Sequence, residues 1–240
     1  MGKIKSHLFL VLTWLFGTVL GCVCLLLRMV GLIKILHPER FPDLRKVKHV
    51  LVFARHPSNV DPFLVAVALF FRWFIFSLKY APRILADEKN FAKNGLWKWL
   101  SEMMIPVRRG DPASEAGALR RMARILSRDK QSLLLFPGGG RESTGERRGE
   151  PMLLSTKGHK LRHFKPGAAW LARTEVLVVP VWVEGTEDWM PDWHFVWPRK
   201  LLGTVKIKVG QPIRFSRDQT VEEINGILEE ALLRLADEEE

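Results

Sequence analysis

The side chains best suited to chemistry in this sequence are His56 and Asp61, which are separated by four residues. They follow an apolar run at residues 50–54 that is typical of a buried strand. An imidazole at the end of such a strand can remove a proton from a hydroxyl group at neutral pH, and a nearby carboxylate can orient the ring. The same aspartate, followed by Pro62, could instead begin a helix as its N-cap. This segment alone leaves both interpretations open.

Two arginines lie at the end of another predicted strand, at residues 105–107. Arg108 and Arg109 precede a glycine, so their guanidinium groups could bind a phosphate or could form an exposed basic turn. A proline at position 180 interrupts a further buried run, which indicates an edge strand or a bulge.

A glycine-rich segment follows the apolar run at residues 132–136. Glycines let a ligand approach the backbone closely, and an arginine beside them can bind an anion in a bidentate manner. The segment is not a P-loop, because no Lys-Ser/Thr pair follows at the required spacing. Its candidate binding residues are Gly138, Gly139, Gly140 and Arg141.

The elements that must position these residues alternate between strands and helices, which predicts an α/β layered domain. Continuous apolar runs predict buried strands, and a 3.6-residue period predicts helices. We predict strands at residues 50–54, 83–86, 105–107, 132–136, 176–183 and 204–209, and helices at 62–73, 91–103, 113–127 and 220–236. Residues 145–162 are polar and contain glycine, and we predict a loop there.

An apolar segment precedes this domain. Residues 8–27 carry no charge and are long enough, at about 1.5 Å per residue, to cross a hydrocarbon core of roughly 30 Å. The apolar character continues to residue 36, so the segment could instead form two short helices that enter one leaflet. Basic residues after it favour a domain on the inner, cytoplasmic face of a membrane. We therefore expect a membrane-anchoring segment at residues 1–40 and a folded domain at residues 41–240.

Charge and cysteine content narrow the classes of partner. The formal net charge is +11, although residues 222–240 are acidic, so the remainder is strongly basic. A basic domain indicates an anionic partner, such as nucleic acid, acidic lipid or an anionic substrate or carrier. The apolar segment favours lipid, and the chain has no recognised nucleic-acid motif, so we expect no nucleic-acid partner. Both cysteines, Cys22 and Cys24, lie in the apolar segment, which leaves none for a disulfide or a thiolate metal site in the domain.

In their order and spacing, these segments resemble the lysophospholipid acyltransferase family, whose prototype is 1-acylglycerol-3-phosphate acyltransferase. Residues 56–61 resemble its H-x-x-x-x-D block, and residues 107–110 its arginine block. Residues 136–142 are similar to its F-P-E-G-T-R-S block, residues 164–168 to its F-K-K-G-A stretch, and residues 179–181 to its apolar-proline block. The resemblance spans about residues 48–215.

The resemblance implies a layered acyltransferase domain with a mixed, largely parallel sheet flanked by helices, acting in phospholipid biosynthesis. His56 would be the general base and Asp61 would orient it. The acceptor hydroxyl of lysophosphatidic acid would attack the thioester of acyl-CoA or acyl carrier protein, without an acyl-enzyme, a cofactor or a metal, and form phosphatidic acid. The implied acceptor-binding residues are Arg108, Arg109, Gly138, Gly139, Gly140 and Arg141.

The glycine-rich segment departs from the family pattern. Gly138 stands where the family usually has a glutamate associated with the acceptor site, and Gly140 replaces its threonine. Some relatives that act on neutral glycerolipids carry an F-P-G-G variant. A neutral glycerolipid or another lysolipid is therefore the alternative acceptor, and Glu142 could compensate from a nearby position. A non-enzymatic membrane-binding module would be a different class, which would bind liposomes without consuming thioester.

Overall fold

A computed structural model of the chain describes residues 2–91, 100, 103–189 and 203–239. Its helices are α1 (Gly2–Met29), α2 (Leu44–Val47), α3 (Asp61–Phe74), α4 (Glu88–Phe91), α5 (Pro112–Arg124), α6 (Glu142–Arg147), α7 (Pro166–Ala172), α8 (Thr186–Trp189) and α9 (Val221–Asp237). Its strands are β1 (Ile33–Leu36), β2 (Leu51–Ala54), β3 (Arg83–Asp87), β4 (Met104–Val107), β5 (Leu133–Leu135), β6 (Met152–Leu154), β7 (Lys160–Arg162), β8 (Val178–Glu184) and β9 (Val205–Val209). Most of the helix predicted at 91–103 lies outside the described residues.

Seven strands of the described chain form one sheet in the order β1-β9-β8-β2-β5-β3-β4. Strands β8, β2, β5, β3 and β4 run parallel to one another, whereas β9 is antiparallel to β8 and parallel to β1. The expectation of a mixed, largely parallel sheet is confirmed.

The central strand β2 shows how the sheet is covered. Leu51 and Phe53 belong to the core formed with α5, α7 and α9, whereas Val52 and Ala54 belong to the core formed with α1 and α3. Successive side chains of a strand point to opposite faces, so a continuously apolar strand requires helices on both faces. The sheet is therefore the middle layer between two layers of helices.

The first helix, α1, is one continuous helix and not the pair of short helices considered above. One side packs on α3, where Gly21 lies against the ring of Phe71, and Nε1–H of Trp14 donates to the carbonyl of Ile75 at 2.9 Å. The other side is apolar and exposed along its length, and it includes Leu8, Val11, Leu12, Leu15, Val19, Val23, Leu26 and Met29. Within the described residues, α1 is the helix long and apolar enough to cross a membrane.

Strand β1 begins the sheet inside residues 1–40, which we expected to be an anchoring segment. It pairs in parallel with β9 at the edge of the sheet, with Ile33 opposite Val205. Its apolar residues are part of the protein core, because the side chain of Ile33 is buried there.

Strand β8 contains Pro180 although it lies inside the sheet. Val178 is bridged to Ile213 and Val181 pairs with Val209, so two residues of β8 face three residues of the neighbouring segment. That arrangement is a β-bulge, one of the two explanations that the sequence suggested for the proline.

The loop predicted at residues 145–162 is wrong, because β6 and β7 form an antiparallel hairpin within it. Gly158, at φ 83°, lies in the turn between two short runs of strand residues. The turn is attached to the end of α9, since Asp237 accepts hydrogen bonds from the hydroxyl of Ser155 at 2.7 Å and the backbone N–H of Thr156 at 2.9 Å. The hairpin thus has a defined position beside the sheet.

Candidate active site

The parallel strands deliver the candidate residues to one edge of the sheet. β2 ends two residues before His56, β4 ends two residues before Arg109, and β5 leads into the glycine segment. The carboxyl ends of parallel strands meet at the same edge, where α/β folds place their ligands. His56, Arg109, Gly139, Gly140 and Arg141 accordingly line one cleft of about 710 Å³, closed on one side by α5 and α7.

His56 lines this cleft and is hydrogen-bonded to Asp61, which is fully buried. Nδ1 of His56 lies 3.0 Å from Oδ2 of Asp61, and the same oxygen accepts a hydrogen bond from the backbone N–H of Ser58 at 2.7 Å. The ring of Phe136 stacks on the imidazole, with 4.3 Å between the ring centroids. The carboxylate favours the tautomer with its proton on Nδ1, which leaves Nε2 as the acceptor. Nε2 can therefore act as a base.

Asp61 does not cap α3. The N-cap residue is Val60, and the buried carboxylate of Asp61 turns back towards Ser58 and His56. Its second oxygen, Oδ1, has no hydrogen-bond partner among the described residues. The helix-cap interpretation left open by the sequence is therefore wrong, and the geometry favours a carboxylate that orients the histidine.

A second buried carboxyl group lies behind His56. Oε1 of Glu142 accepts from the backbone N–H of His56 at 3.4 Å, and the backbone N–H of Glu142 donates to the carbonyl of His56 at 3.3 Å. Burial raises the pKa of Glu142, against smaller opposite effects from Arg55 and the hydrogen bonds. Glu142 therefore ties the histidine loop to the start of α6, next to Arg141.

The structure shows which of the two neighbouring arginines lines the cleft, which the sequence could not decide. Arg109 lines the cleft, with its Nε 3.4 Å from Oδ2 of Asp87 at the end of β3. Arg108 pairs instead with Glu88 at 3.1 Å and with Asp111 at 3.6 Å, and it is not among the residues that line the cleft.

The glycine segment is covered by two side chains from later in the chain. A Cβ atom at Gly138 would lie 2.9 Å from Cβ of Arg162, and a Cβ at Gly140 would lie 2.5 Å from Nη1 of the same arginine. Gly139 has φ 73°, and a Cβ there would lie 2.4 Å from Cε of Lys165. No residue with a side chain fits at these positions without a shift of its neighbours.

Arg162 and Lys165 also line the cleft, and sequence analysis missed both as site residues. The three consecutive glycines were a signal that another group fills the space beside them. They could not indicate which group, because Arg162 reaches the cleft from the β7 strand of a hairpin that we predicted as a loop.

The arrangement places a base beside a cationic surface, which suits removal of a proton from the hydroxyl of an anionic molecule. Across residues 2–91, 100, 103–189 and 203–239, no group of three or more His, Cys, Asp or Glu side chains could hold a metal ion.

Comparisons with known proteins bear on the family and the fold of the chain. Residues 33–184 match the model of a protein family described as acyltransferase. The chain is also similar to the crystal structure of the 1-acyl-sn-glycerophosphate (LPA) acyltransferase PlsC from Thermotoga maritima, with a TM-score of 0.59 and 18% sequence identity over 94% of this chain and 81% of that chain. At that identity the similarity shows a shared fold. No curated protein sequence matches the chain.

Proposed function

Because this chain belongs to the acyltransferase family, we propose that it transfers a fatty acyl group from an acyl thioester to the free hydroxyl of 1-acylglycerol-3-phosphate, forming phosphatidic acid. The observation that carries the proposal is His56, which is hydrogen-bonded to the buried Asp61 and lines a cleft that is also lined by arginines. The reaction would be a step of phospholipid biosynthesis.

In the proposed mechanism, Nε2 of His56 removes the proton of the acceptor hydroxyl as its oxygen attacks the thioester carbonyl. The C–S bond breaks, and the thiolate leaves with the proton that the imidazolium returns. Asp61 holds Nδ1 at 3.0 Å and stabilises the transient imidazolium. This route needs no acyl-enzyme and therefore no serine or cysteine nucleophile.

Arg109 and Arg141 are the proposed ligands of the acceptor phosphate, because both line the cleft that contains His56. Guanidinium groups bind phosphate in a bidentate manner. Arg108 is left out of this role, since its two carboxylate partners hold it elsewhere. Gly139 and Gly140 would form the wall behind the acceptor, and Gly138 would act by leaving space for Arg162.

The lipid acceptor is expected to reach the cleft from a membrane surface. The exposed apolar side of α1 supports a membrane anchor, since its other side is already covered by α3. The excess of basic residues after the apolar segment favours a domain in the cytoplasm, where acyl-CoA or acyl carrier protein would be the soluble donor.

A two-by-two assay tests the proposal. Purified full-length protein in mixed micelles is supplied with acyl-CoA or acyl carrier protein as donor, and with lysophosphatidic acid or monoacylglycerol as acceptor. We expect phosphatidic acid with at least one donor, and slower turnover of the neutral acceptor. Turnover of monoacylglycerol alone would favour the neutral-acceptor alternative, and no thioester consumption with any pair would favour a membrane-binding module.

A further inference from the structure

Arg162 is almost fully buried, with 8% of its surface exposed, and yet it lines the active-site cleft. Its Nη2 pairs with a carboxylate oxygen of Glu150, and within the described part of the chain that is the guanidinium's only hydrogen-bond partner. A guanidinium carries five N–H donors. One carboxylate uses only part of this capacity, and because the side chain lines the cleft, its other donors can bind a ligand there.

Arg162 explains three of the glycines near the site, whereas Gly139 packs against Lys165. Cβ atoms at Gly138, Gly140 and Gly145 would lie 2.9, 2.5 and 2.8 Å from Cβ, Nη1 and Nε of Arg162 respectively. The glutamate and threonine that the family pattern has at positions 138 and 140 would occupy the same space. These three glycines and the buried arginine are therefore one structural feature.

The guanidinium of Arg162 has a second cation as its neighbour. Nη1 of Arg109 and Nη1 of Arg162 lie 3.5 and 2.5 Å from the point where a Cβ of Gly140 would be. Their carboxylate partners are different residues, Asp87 for Arg109 and Glu150 for Arg162. The two guanidinium groups share no carboxylate, so an anion bound between them would interact with both.

The charged side chains that line the cleft are mostly positive. Its cationic lining residues outnumber the acidic ones Asp87 and Glu115, and they are Arg109, Arg141, Arg148, Arg162 and Lys165. An anionic ligand is therefore favoured over a neutral one.

We propose that Arg162 is a specificity-determining residue that, together with Arg109, binds the phosphate monoester of the acceptor across Gly140. This rests on the proposed acyl transfer to a lysolipid. It also changes the interpretation of Gly138. In the sequence this glycine favoured a neutral acceptor, whereas here it leaves space for an arginine that binds a phosphorylated one.

The test measures binding as well as turnover, with soluble glycerol 3-phosphate as the binding probe. Calorimetric titration of the full-length protein should show binding that Arg162→Met weakens by about 10- to 100-fold, since a hydrogen bond to a charged group is lost. Methionine keeps an unbranched stem over the glycines. Arg234→Met is the matched control, because Arg234 also pairs with one glutamate, Glu230, but lies on α9 outside the cleft. It should change neither binding nor activity.

A second variant should change the affinity for glycerol 3-phosphate in the opposite direction. Glu150→Gln removes the carboxylate that competes for the guanidinium, so binding of glycerol 3-phosphate should tighten by roughly 3- to 10-fold. If Arg162 and Glu150 only stabilise the hairpin, this variant would unfold at a lower temperature and bind no better. That result would overturn the proposal even if Arg162→Met failed to fold.

The outcomes separate this proposal from the proposed function. If wild type acylates lysophosphatidic acid and a folded Arg162→Met variant has the same kcat/KM, the role of Arg162 is refuted and the proposed function is retained. Binding of glycerol 3-phosphate that depends on Arg162, in a protein without acyl transfer to lysophosphatidic acid, would support the site and reject the function. No binding of glycerol 3-phosphate to wild type would refute the phosphate site.

Discussion

Replacement of Asp61 by asparagine should remove most of the activity while leaving the fold intact. Oδ2 of Asp61 accepts hydrogen bonds from both His56 Nδ1 and the backbone of Ser58, whereas Oδ1 has no partner within the described chain. Asparagine with its carbonyl oxygen in the Oδ2 position can keep both hydrogen bonds and the histidine tautomer. The change then removes only the negative charge that stabilises the imidazolium.

The size of the effect follows from that charge. At an effective dielectric constant of about 20, two unit charges about 4 Å apart attract each other by about 4 kcal/mol. Loss of that attraction in the transition state corresponds to roughly a 10³-fold decrease in kcat. The free energy of unfolding should change little, because two effects oppose each other. The variant no longer buries a charged carboxylate, but it buries an amide N–H without an acceptor. We expect the Tm of Asp61→Asn to stay within about 5 °C of wild type.

The assay is acyl transfer to lysophosphatidic acid by purified Asp61→Asn, with thermal unfolding followed on the same samples. Asp43→Asn is the control, because Asp43 is the N-cap of α2 and lies outside the cleft. Its kcat should remain within about twofold of wild type. An Asp61→Asn enzyme within tenfold of wild type, or a loss of activity that follows unfolding, would refute the reasoning.

Three further predictions concern the binding residues, the buried acid and the anchor. In steady-state kinetics, Arg109→Ala should raise the KM for lysophosphatidic acid by about 10- to 100-fold, whereas Arg108→Ala should change it less than about threefold. Equal effects would contradict the different roles of the two arginines. Burial raises the pKa of Glu142, so the free energy of unfolding of wild type should fall as the pH rises above the ordinary pKa of 4.5. Glu142→Gln should lack this fall in urea titrations between pH 4 and pH 8. An identical pH dependence of the two proteins would exclude a buried acid with a raised pKa. Val19→Glu, on the exposed side of α1, should weaken vesicle binding by roughly 100-fold, whereas Leu154→Glu, exposed on the hairpin, should not change it; equal binding by both variants would exclude α1 as the anchor.

The strands of the sheet were predictable because burial leaves a direct record in the sequence. Strands buried on both faces must be apolar throughout, and the runs at residues 50–54 and 176–183 correspond to β2 and β8. Strand β1 has the same character, but it directly follows an apolar helix. Only its pairing with β9, about 170 residues later, distinguishes it from a continuation of the anchor.

The proposed catalytic pair was predictable from local spacing, whereas the proposed binding surface was not. His56 and Asp61 lie on one short loop, so their separation in sequence limits their separation in space. Arg108 and Arg109 are neighbours whose directions depend on how β4 ends and on the partners each side chain finds. Arg162 comes from a hairpin whose short strands carry no strong periodic signal, and its contact with the glycines exists only in the folded chain.

The most direct test of the central claim compares wild type with His56→Ala in acyl transfer to lysophosphatidic acid. Loss of the general base should reduce kcat by roughly 10²- to 10⁴-fold, with thermal unfolding unchanged and no acyl group attached to the protein by mass spectrometry. Undiminished formation of phosphatidic acid by His56→Ala would contradict the account.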